Sequence, residues 1–493
     1  MKIKNVKNNV EIKSAPSFTW SYLDIENKVE AGVVSAQRGI TLIALIITII
    51  LMIILAGVVL TLTIGENGLF NIAKYAREKW NNAVEQEQAE LDELYAYING
   101  ENLPENTKDT DAGTLVAVPD KWKTSTPAYV STTKGKEVVS SKKVSTVQAV
   151  ATGLGETVPV PLGFYYVGGK VDTGVVISDN IADQNKYKNE IEIPSGIEAV
   201  LNEDGSVKEI KRTLEGNQFV WIPCKESEYV KTNWGQGNVA NRSNSCWDTS
   251  VDRAGELQTK KYGGFYVARF EAGLASDIEE TKDRQQNTGS NQTYNKAGRP
   301  QSKAGLVPWN YIDWNKSREN AKSMYNTNYV NSGLITGTQW DVMINWMTDK
   351  NSSELTSSGT FGNYGNVTPT ITLGRTSYGF VSGSYWYQDP FLDTWVKDTA
   401  RQAGTAGSKG YAWTTGASND ARKKNLYDVA GNMWEWTQET SFYGGNSSTQ
   451  YRVRRGGSFG HASSAYPVCY RNGHPTVSHT DIVVGFRPVI YMK

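Results

Sequence analysis

The three cysteines and three histidines of this chain are its best candidates for redox or metal chemistry. Their spacing in the sequence restricts which redox or metal sites they could form. The cysteines are too few and too far apart for a disulfide framework: Cys224, Cys246 and Cys469. One disulfide is allowed, but the sequence does not determine its pairing. No Cys-x-x-Cys or Cys/His zinc spacing occurs, so a zinc site would need unusual ligands. The histidines all lie near the C-terminus: His461, His474 and His479.

The sequence GNMWEW at residues 431–436 places a carboxylate between two tryptophans, directly after a Gly-Asn pair that favours a turn. Arg455 in RRGGSF and Arg487 in GFRPV are available to form ion pairs with Glu435 or Asp428. The glycines in these motifs allow close approach of the backbone. These residues are interpreted as core-building groups, with chemistry as the alternative.

The elements that position these groups are predicted to be mostly short β-strands. Aromatic or β-branched runs bounded by Gly, Pro, Asp or Asn are typical of strands. Such runs occur at residues 163–169, 173–179, 216–223 and 263–271. A mostly β, loop-rich domain with a couple of helices is therefore expected.

Two helices are predicted within this domain. The stronger is TGTQWDVMINWM at residues 336–347, because Thr336 and Gln339 have the spacing of a capping box. The weaker is SRENAKSMY at residues 317–325. The apolar face of the stronger helix would consist of Trp340, Met343, Ile344 and Met347.

Length and composition restrict the class of protein. The chain has 493 residues, which favours roughly two to four domains. Lys plus Arg and Asp plus Glu each number 51, so the formal net charge is zero. Nucleic-acid-binding proteins usually carry a basic excess, and no nucleic-acid partner is predicted. The 15 Trp, 26 Tyr and 46 Gly favour a loop-rich domain with aromatic anchors.

Residues 40–64 carry no charged side chain and exceed the length of about 20 apolar residues that spans a bilayer. The core of a signal peptide is about 7–15 residues, so a cleaved signal peptide is the weakest interpretation. Basic residues on the two sides are almost balanced and do not set the orientation. The segment predicts a membrane helix.

Apolar residues keep helical spacing beyond this segment, and no proline occurs before Pro104. Residues 40–98 are therefore predicted to form one nearly continuous helix. Residues 99–160 are polar and rich in turn-forming residues, Ser, Thr and Lys, and are interpreted as a linker. The folded domain is expected at residues 161–493.

The run RG followed by ITLIALIITIILMIILAGVVL resembles the N-terminal signature of type IV pilins and pseudopilins. In that family a peptidase cuts after the glycine, the new N-terminus is methylated, and the long helix is both anchor and filament core. The resemblance implies a leader at residues 1–39, cleavage after Gly39 and a mature chain beginning at Ile40. Other pilin subunits would then be partners. The family's glutamate at the fifth mature position is Ala44 here, which fits a tip or minor subunit. A plain membrane anchor is the alternative.

Four segments near the C-terminus occur in the order PWNYIDWNKSRENAKSMY, GLITGTQWDVMINWM, NLYDVAGNMWEWTQE and RVRRGGSF…VGFRPVI. This ordered set resembles the formylglycine-generating enzyme (sulfatase-modifying factor) family, whose fold is related to C-type lectins. The resemblance covers residues 216–493. It implies an α+β fold, in which a compact, loop-rich domain follows the long N-terminal pilin-like helix.

Active members of that family oxidise a substrate cysteine with two cysteines that lie shortly after the GGS motif and bind copper. The corresponding positions here are His461 and Tyr466. Cys469 lies beyond the second position and has no partner cysteine nearby, whereas a soft Cu(I) site needs thiolates. The His-rich iron motif of other relatives is also absent from the sequence. The domain is therefore predicted to be a pseudoenzyme with no catalytic residues, and no cofactor is required.

The lectin-like branch of this fold and the variable proteins of diversity-generating retroelements use the same C-terminal region as a ligand-binding face. Residues 460–484 correspond to that region and combine aromatic with adaptable polar groups. An ordinary surface loop is the alternative. The predicted ligand-binding residues are His461, Tyr466, Tyr470, Arg471, Asn472, His474 and His479.

Some members of the family bind calcium near the GN-x-WE turn. Asn432 and Glu435 carry oxygen atoms of the kind that this cation prefers, so they are candidate calcium ligands. A turn cap and a buried ion pair are the alternative roles for the same two residues.

Together these features predict a surface-displayed ligand-binding protein of the adhesin or receptor type. It would be anchored in the cell membrane with its C-terminal domain extracellular. The sequence does not decide whether the extracellular ligand is a glycan, a protein or a phage component. A minor pilin with an assembly role is the first alternative, and a divergent formylglycine-generating oxidoreductase is the second.

Overall fold

The computed structural model of the protein describes most of the chain beyond residue 109 and combines many strands with few helices. The described ranges are 110–132, 135–203, 207–232, 253–274, 295–357, 361–366, 376–381, 384–387, 411–442 and 450–493. The α+β prediction is confirmed for this part of the chain. The helices are α1 (Arg253–Tyr262), α2 (Trp314–Ser323), α3 (Gly337–Met347) and α4 (Ser352–Ser357).

The strands are short, and they fall into separate small sheets around one larger sheet. In chain order they are β1 (Leu115–Val116), β2 (Thr124–Thr132), β3 (Gly135–Val144), β4 (Val147–Gly153), β5 (Glu156–Pro161), β6 (Tyr165–Gly168), β7 (Val176–Ser178), β8 (Ile197–Leu201), β9 (Val207–Arg212), β10 (Gln218–Pro223), β11 (Gly264–Ala268), β12 (Val330–Leu334), β13 (Thr376–Val381), β14 (Ser384–Tyr387), β15 (Tyr411–Trp413), β16 (Arg422–Lys423), β17 (Leu426–Tyr427), β18 (Trp434–Phe442), β19 (Gln450–Arg455), β20 (Asn472–His474), β21 (Val484–Phe486) and β22 (Pro488–Met492).

The larger sheet has six strands in the order β12-β22-β11-β10-β7-β6. Four of them, β6, β7, β10 and β11, lie in the four segments predicted as strands, which confirms those predictions. Val220 of β10 is opposite Val267 of β11, and Trp221 is opposite Tyr266. Successive side chains point to opposite faces, so the two valines join one core and the two aromatic residues join another. Because both faces of the sheet are buried, these strands consist of continuous apolar runs in the sequence.

The linker predicted at residues 99–160 requires correction from residue 110 onward. Strands β1, β4 and β5 form a three-stranded sheet in that region, and Val147, Val158 and Val160 are fully buried. These valines share a core with Phe219 of the central sheet, and the Tyr266 hydroxyl donates to the carbonyl of Pro159 at 3.1 Å. The Ser, Thr and Lys residues of β2 and β3 suggested a linker, but the valines beside them supply enough apolar surface to pack.

Helix α3 confirms the capping-box prediction. The Thr336 hydroxyl accepts a hydrogen bond from the Gln339 amide at 3.1 Å, and the Gln339 side chain accepts one from the Thr336 amide at 3.1 Å. Helix α2 begins earlier than the predicted residues 317–325, since Asp313 is its N-cap and accepts from the Lys316 amide at 2.7 Å. The predicted apolar face of α3 is buried, namely Trp340, Met343, Ile344 and Met347.

A four-stranded sheet carries the C-terminal motifs, with the order β20-β19-β18-β21. Strand β21 pairs in parallel with β18, and β19 pairs with β18 in the antiparallel direction. Residues 460–484 therefore leave the sheet after β19, contribute β20, and return along β21. The tryptophans of GNMWEW, Trp434 and Trp436, lie in a core cluster with Phe486.

The predicted leader, membrane segment and pilin-like helix, at residues 1–98, lie outside the described residues. Within the described ranges, no helix has the length and apolar character needed to span a membrane.

Candidate ligand-binding site

The RRGGSF motif fixes the start of the predicted binding segment by close backbone packing. Gly456 and Gly457 both have positive φ, at +92° and +78°, where other residues are strained. A Cβ on Gly457 would lie 2.4 Å from the carbonyl oxygen of Tyr466. The glycine therefore lets the chain after β19 pack directly against the turn that presents Tyr466.

Three of the predicted binding residues assemble on one buried tryptophan. The ring centroids of His461, Tyr466 and Tyr470 lie 5.8, 5.7 and 6.0 Å from that of Trp434. Tyr466 also contacts His461 at 4.6 Å and Tyr470 at 4.9 Å. The three outer rings are partly exposed, whereas Trp434 is fully buried. We call these four residues the aromatic cluster.

A second group lies around Arg454 of β19. The rings of His474 and His479 stack with centroids 3.7 Å apart, and the guanidinium of Arg454 lies 3.4 Å from His479 Nε2. The same guanidinium is 5.4 Å from the Trp434 ring and 6.0 Å from the Trp436 ring. Arg454 thus links the histidine pair to the aromatic cluster.

The electrostatics of this group keep its imidazoles neutral at neutral pH. Burial, together with the neighbouring His474 and Arg454, lowers the pKa of His479 to about 4. Burial also lowers the pKa of His474. Asp481, whose carboxylate lies 4.0 Å from His479 Nε2, opposes both shifts. Neutral imidazoles can both donate and accept hydrogen bonds, which suits them to polar ligands.

Arg471 differs from the other predicted binding residues, because its side chain is only 2% exposed. It donates from Nε to Glu439 at 3.0 Å and also pairs with Asp341. Arg455 completes the group, with Nη2 at 2.7 Å from Asp341 and Nη1 at 3.3 Å from Glu439. We call these four residues the buried ion network. Arg471 therefore supports the segment from inside, and the expectation that it presents its side chain to a ligand is corrected.

The other predicted binding residues of this segment are partly exposed. Asn472 begins β20 opposite Arg454, and His474 lies opposite Arg452. The structure therefore brings together His461, Tyr466 and Tyr470 in one cluster, and His474 and His479 in the adjoining one.

The candidate calcium ligands have other partners. Asn432 Oδ1 accepts from the Trp413 amide and from Asn363 Nδ2, both at 2.9 Å. Glu435 receives two hydrogen bonds from Arg487, at 2.7 and 2.9 Å, so this predicted ion pair is confirmed. Within the described residues, no three His, Cys, Asp or Glu side chains are grouped to hold a metal ion. Because these oxygens already accept hydrogen bonds, this arrangement does not fit a calcium site.

The two described cysteines are unsuited to the chemistry of the active family members. Cys224 and Cys469 are both buried and free. Burial raises the pKa of Cys469 to about 11 and that of Cys224 to about 12. Both thiols are thus protonated at neutral pH, whereas nucleophilic attack and metal binding need the thiolate. Cys246 lies outside the described residues.

The sequence analysis did not identify the buried residues that support the predicted ligand-binding segment, residues 460–484. Asp341 lies within the apolar run of α3, and a buried carboxylate there requires a cationic partner. The sequence could therefore have predicted that Asp341 forms a buried ion pair, although it could not identify Arg455 and Arg471 as the partners. The proposed processing residues, Gly39 and Ile40, lie outside the described residues.

Comparison with known families identifies the C-terminal region. Residues 375–492 match the FGE-sulfatase family, described as a sulfatase-modifying factor enzyme 1-like domain. The chain therefore contains a domain of this type, and the predicted resemblance is confirmed for these residues. The match includes the aromatic cluster and the whole 460–484 segment. It does not include residues 1–98, where the pilin-like segment stays a prediction.

Two solved structures are remotely similar to the chain. The crystal structure of CarF is 15% identical, with 47% of this chain and 87% of that chain covered and a TM-score of 0.25. Treponema denticola variable protein 1 is 14% identical, with 60% and 92% covered and a TM-score of 0.21. No curated protein matches the chain.

Proposed function

We propose that this chain is a cell-surface ligand-binding protein of the adhesin or receptor type, whose sulfatase-modifying-factor-like domain binds without catalysis. The observation that carries the proposal is the aromatic cluster. Three partly exposed rings, His461, Tyr466 and Tyr470, rest on the buried Trp434. Tyrosine and histidine in such a position offer flat apolar area with polar edges at low cost in side-chain entropy.

Two further observations support binding over catalysis. The buried ion network holds the backbone between Tyr470 and Asn472 through the Arg471 side chain, so neighbouring side chains can vary without loss of the loop's position. The thiols of Cys224 and Cys469 are protonated and buried, which disfavours the oxidase chemistry of the family. A divergent formylglycine-generating oxidoreductase is thus the less favoured alternative.

The binding test uses cells that display the full-length chain, with a glycan microarray and immobilised mucin as probes. The triple variant Y466A/Y470A/H474A should lose attachment while it is still displayed on the cells and still unfolds cooperatively above the assay temperature. Y165A/Y329A, which truncates two partly exposed tyrosines outside the segment, is the matched control and should attach normally. Equal attachment by the triple variant and the wild type would remove the proposed face.

We further propose that residues 40–64 anchor the chain in the cell membrane after cleavage at Gly39, and that the domain is extracellular. The motif of basic residue, glycine and long apolar run supports this proposal. Intact-mass and N-terminal peptide analysis of protein from the cell surface tests it. A methylated Ile40 at the N-terminus would support processing by the pilin pathway. An intact leader would favour the alternative, a membrane anchor that is not processed as a pilin.

The competing function is that of a minor pilin or pseudopilin whose large domain serves assembly. Deletion of residues 160–493 separates the two. Loss of filaments would favour the assembly role. Filaments that persist while attachment is lost would favour the binding role.

A further inference from the structure

A concave site lies on the domain, and none of its lining residues belongs to the proposed binding face. It is a cavity of about 710 Å³, bounded by α1, α2, β12, β18 and β22. This volume is within the range of small-molecule sites in proteins, about 300–1,000 Å³. Its polar lining residues include Asn315, Arg318, Lys322, Asn326, Asn331 and Gln438. We call this cavity the amide pocket.

Gly333 of β12 keeps the floor of the amide pocket open. A Cβ at this position would lie 3.2 Å from Cε2 of the Tyr491 ring and 4.0 Å from Nε2 of Gln438. The missing side chain therefore leaves space between the Tyr491 ring and the Gln438 amide. A partly exposed aromatic ring next to hydrogen-bonding groups can pack against the apolar face of a sugar ring.

The pocket carries an excess of positive charge. Arg318 and Lys322 are one helical turn apart on α2, so they lie on the same face of the helix, and both are exposed. Neither forms a salt bridge within the part of the chain that the structure describes. Glu319, the acidic residue of the lining, is paired with Lys316. The Arg318 guanidinium lies 4.5 Å from the Trp314 ring centroid, which restrains it.

We propose that the amide pocket binds an acidic saccharide, that is, a hydroxylated sugar ring that carries a carboxylate. The side-chain amides of Asn315, Asn326 and Asn331 carry donors and acceptors that match the alternating hydroxyls of a sugar. Gln438 adds its second N–H, since its first donates to the Leu334 carbonyl at 2.6 Å. The guanidinium of Arg318 and the ammonium of Lys322 match the carboxylate. The lining combines these polar side chains with the aromatic ring of Tyr491, and this mixture suits a sugar ring better than a lipid chain.

The test measures binding of β-1,4-linked oligoglucuronate to the full-length chain by calorimetry, against a cello-oligosaccharide of equal length. The two probes differ in the carboxylate. We expect the charged probe to bind at least tenfold more tightly, and R318A/K322A to weaken it at least tenfold. K186A/K188A is the matched control, because it removes two positive charges at exposed lysines elsewhere, and it should leave the affinity unchanged.

Three results would overturn the proposal. The first is absence of saturable binding, the second is equal affinity for both probes, and the third is competition by inorganic phosphate as effective as that by oligoglucuronate. G333V provides a second variant, since its side chain would enter the pocket beside Tyr491 without changing charge. It should also abolish binding. The variant Y466A/Y470A/H474A should still bind oligoglucuronate. The experiment can therefore disprove the amide-pocket proposal without disproving the proposed binding function of residues 460–484, and the reverse.

Discussion

Arg471 donates from Nε to Glu439 Oε1 at 3.0 Å, although Tyr470 and Asn472 on either side of it are partly exposed. Its side chain therefore turns inward from a segment whose neighbours turn outward. Through Asp341 and Glu439 it ties the segment to α3 and β18. The fold thus separates a fixed interior, which sets the path of the loop, from exposed groups that are free to differ.

Replacement of Arg471 by methionine should cost about 3–5 kcal/mol of unfolding free energy, because it leaves Asp341 and Glu439 with one buried cation between them. Urea denaturation of the full-length chain measures this cost. The control is R422M, which removes a pair with the exposed Glu192 and should cost about 0–1 kcal/mol.

Equal losses of unfolding free energy for R471M and R422M would show that the buried ion network does not stabilise the domain more than an exposed ion pair does. The same measurement on D341N/R471M offers a further check. Removal of one charge of each sign should cost less than the sum of the single changes, since fewer charges are left uncompensated.

The stability of the domain should depend on His479 between pH 6.5 and pH 4. Its pKa is about 4 in the folded chain and about 6.5 in the unfolded chain. Between these values the unfolded state binds a proton that the folded state does not. The contribution of His479 to the free energy of unfolding therefore falls as the pH decreases, by up to about 1.4 kcal/mol per pH unit.

The variant H479Q isolates this effect. Burial raises the pKa of Asp428 to about 7, which acts in the opposite direction over the whole of this range. The difference between wild type and H479Q cancels that contribution. We expect the wild type to lose about 1–3 kcal/mol relative to H479Q between pH 7 and pH 4.5. Parallel pH curves for the two proteins would show that His479 has no such shift.

Local signals in the sequence predicted the regular elements well. The capping box of Thr336 and Gln339 marks the start of α3, and the aromatic runs mark β10 and β11. These features depend on residues a few positions apart. The sequence left open whether Arg455 or Arg487 pairs with Glu435 or Asp428. The structure pairs Arg487 with Glu435, whereas Arg455 pairs with Asp341 and Glu439 instead.

Long-range packing was harder to predict. The valines of β4 and β5 share a core with Phe219 of β10, yet nothing local to them identifies that partner. Similarly, Arg471 appeared suitable for a ligand because its sequence neighbours are aromatic and polar. Its inward direction is fixed by Asp341, which lies far away in the chain. Residue type alone could not decide between the two directions.

The buried thiols should resist alkylation in the folded protein. Burial raises the pKa of Cys469 to about 11 and that of Cys224 to about 12. Iodoacetamide at pH 7.5 should therefore modify both only after unfolding in urea. Peptide mapping by mass spectrometry reports each cysteine separately, including Cys246. If Cys469 reacted equally fast in folded and unfolded protein, it would be an accessible thiolate, and the oxidoreductase alternative would gain support.

The close approach at Gly457 should make that glycine more sensitive than another with similar backbone geometry. Gly457 and Gly163 have φ values of +78° and +86°. A Cβ at Gly163 would meet nothing within 4 Å, whereas one at Gly457 would lie 2.4 Å from the Tyr466 carbonyl oxygen. The variant G163A should cost about 1–2 kcal/mol from backbone strain. The variant G457A should cost about 1–3 kcal/mol more from the steric clash.

Denaturant titration of both variants measures the difference, and attachment to the mucin probe adds a second readout. Since the clash pushes on the backbone of Tyr466, G457A should also weaken attachment under conditions where it remains folded. G163A lies outside the segment and should attach normally. Equal costs for the two variants would mean that the chain around Tyr466 relaxes freely, and the loop would then lack the fixed path on which the proposed binding face depends.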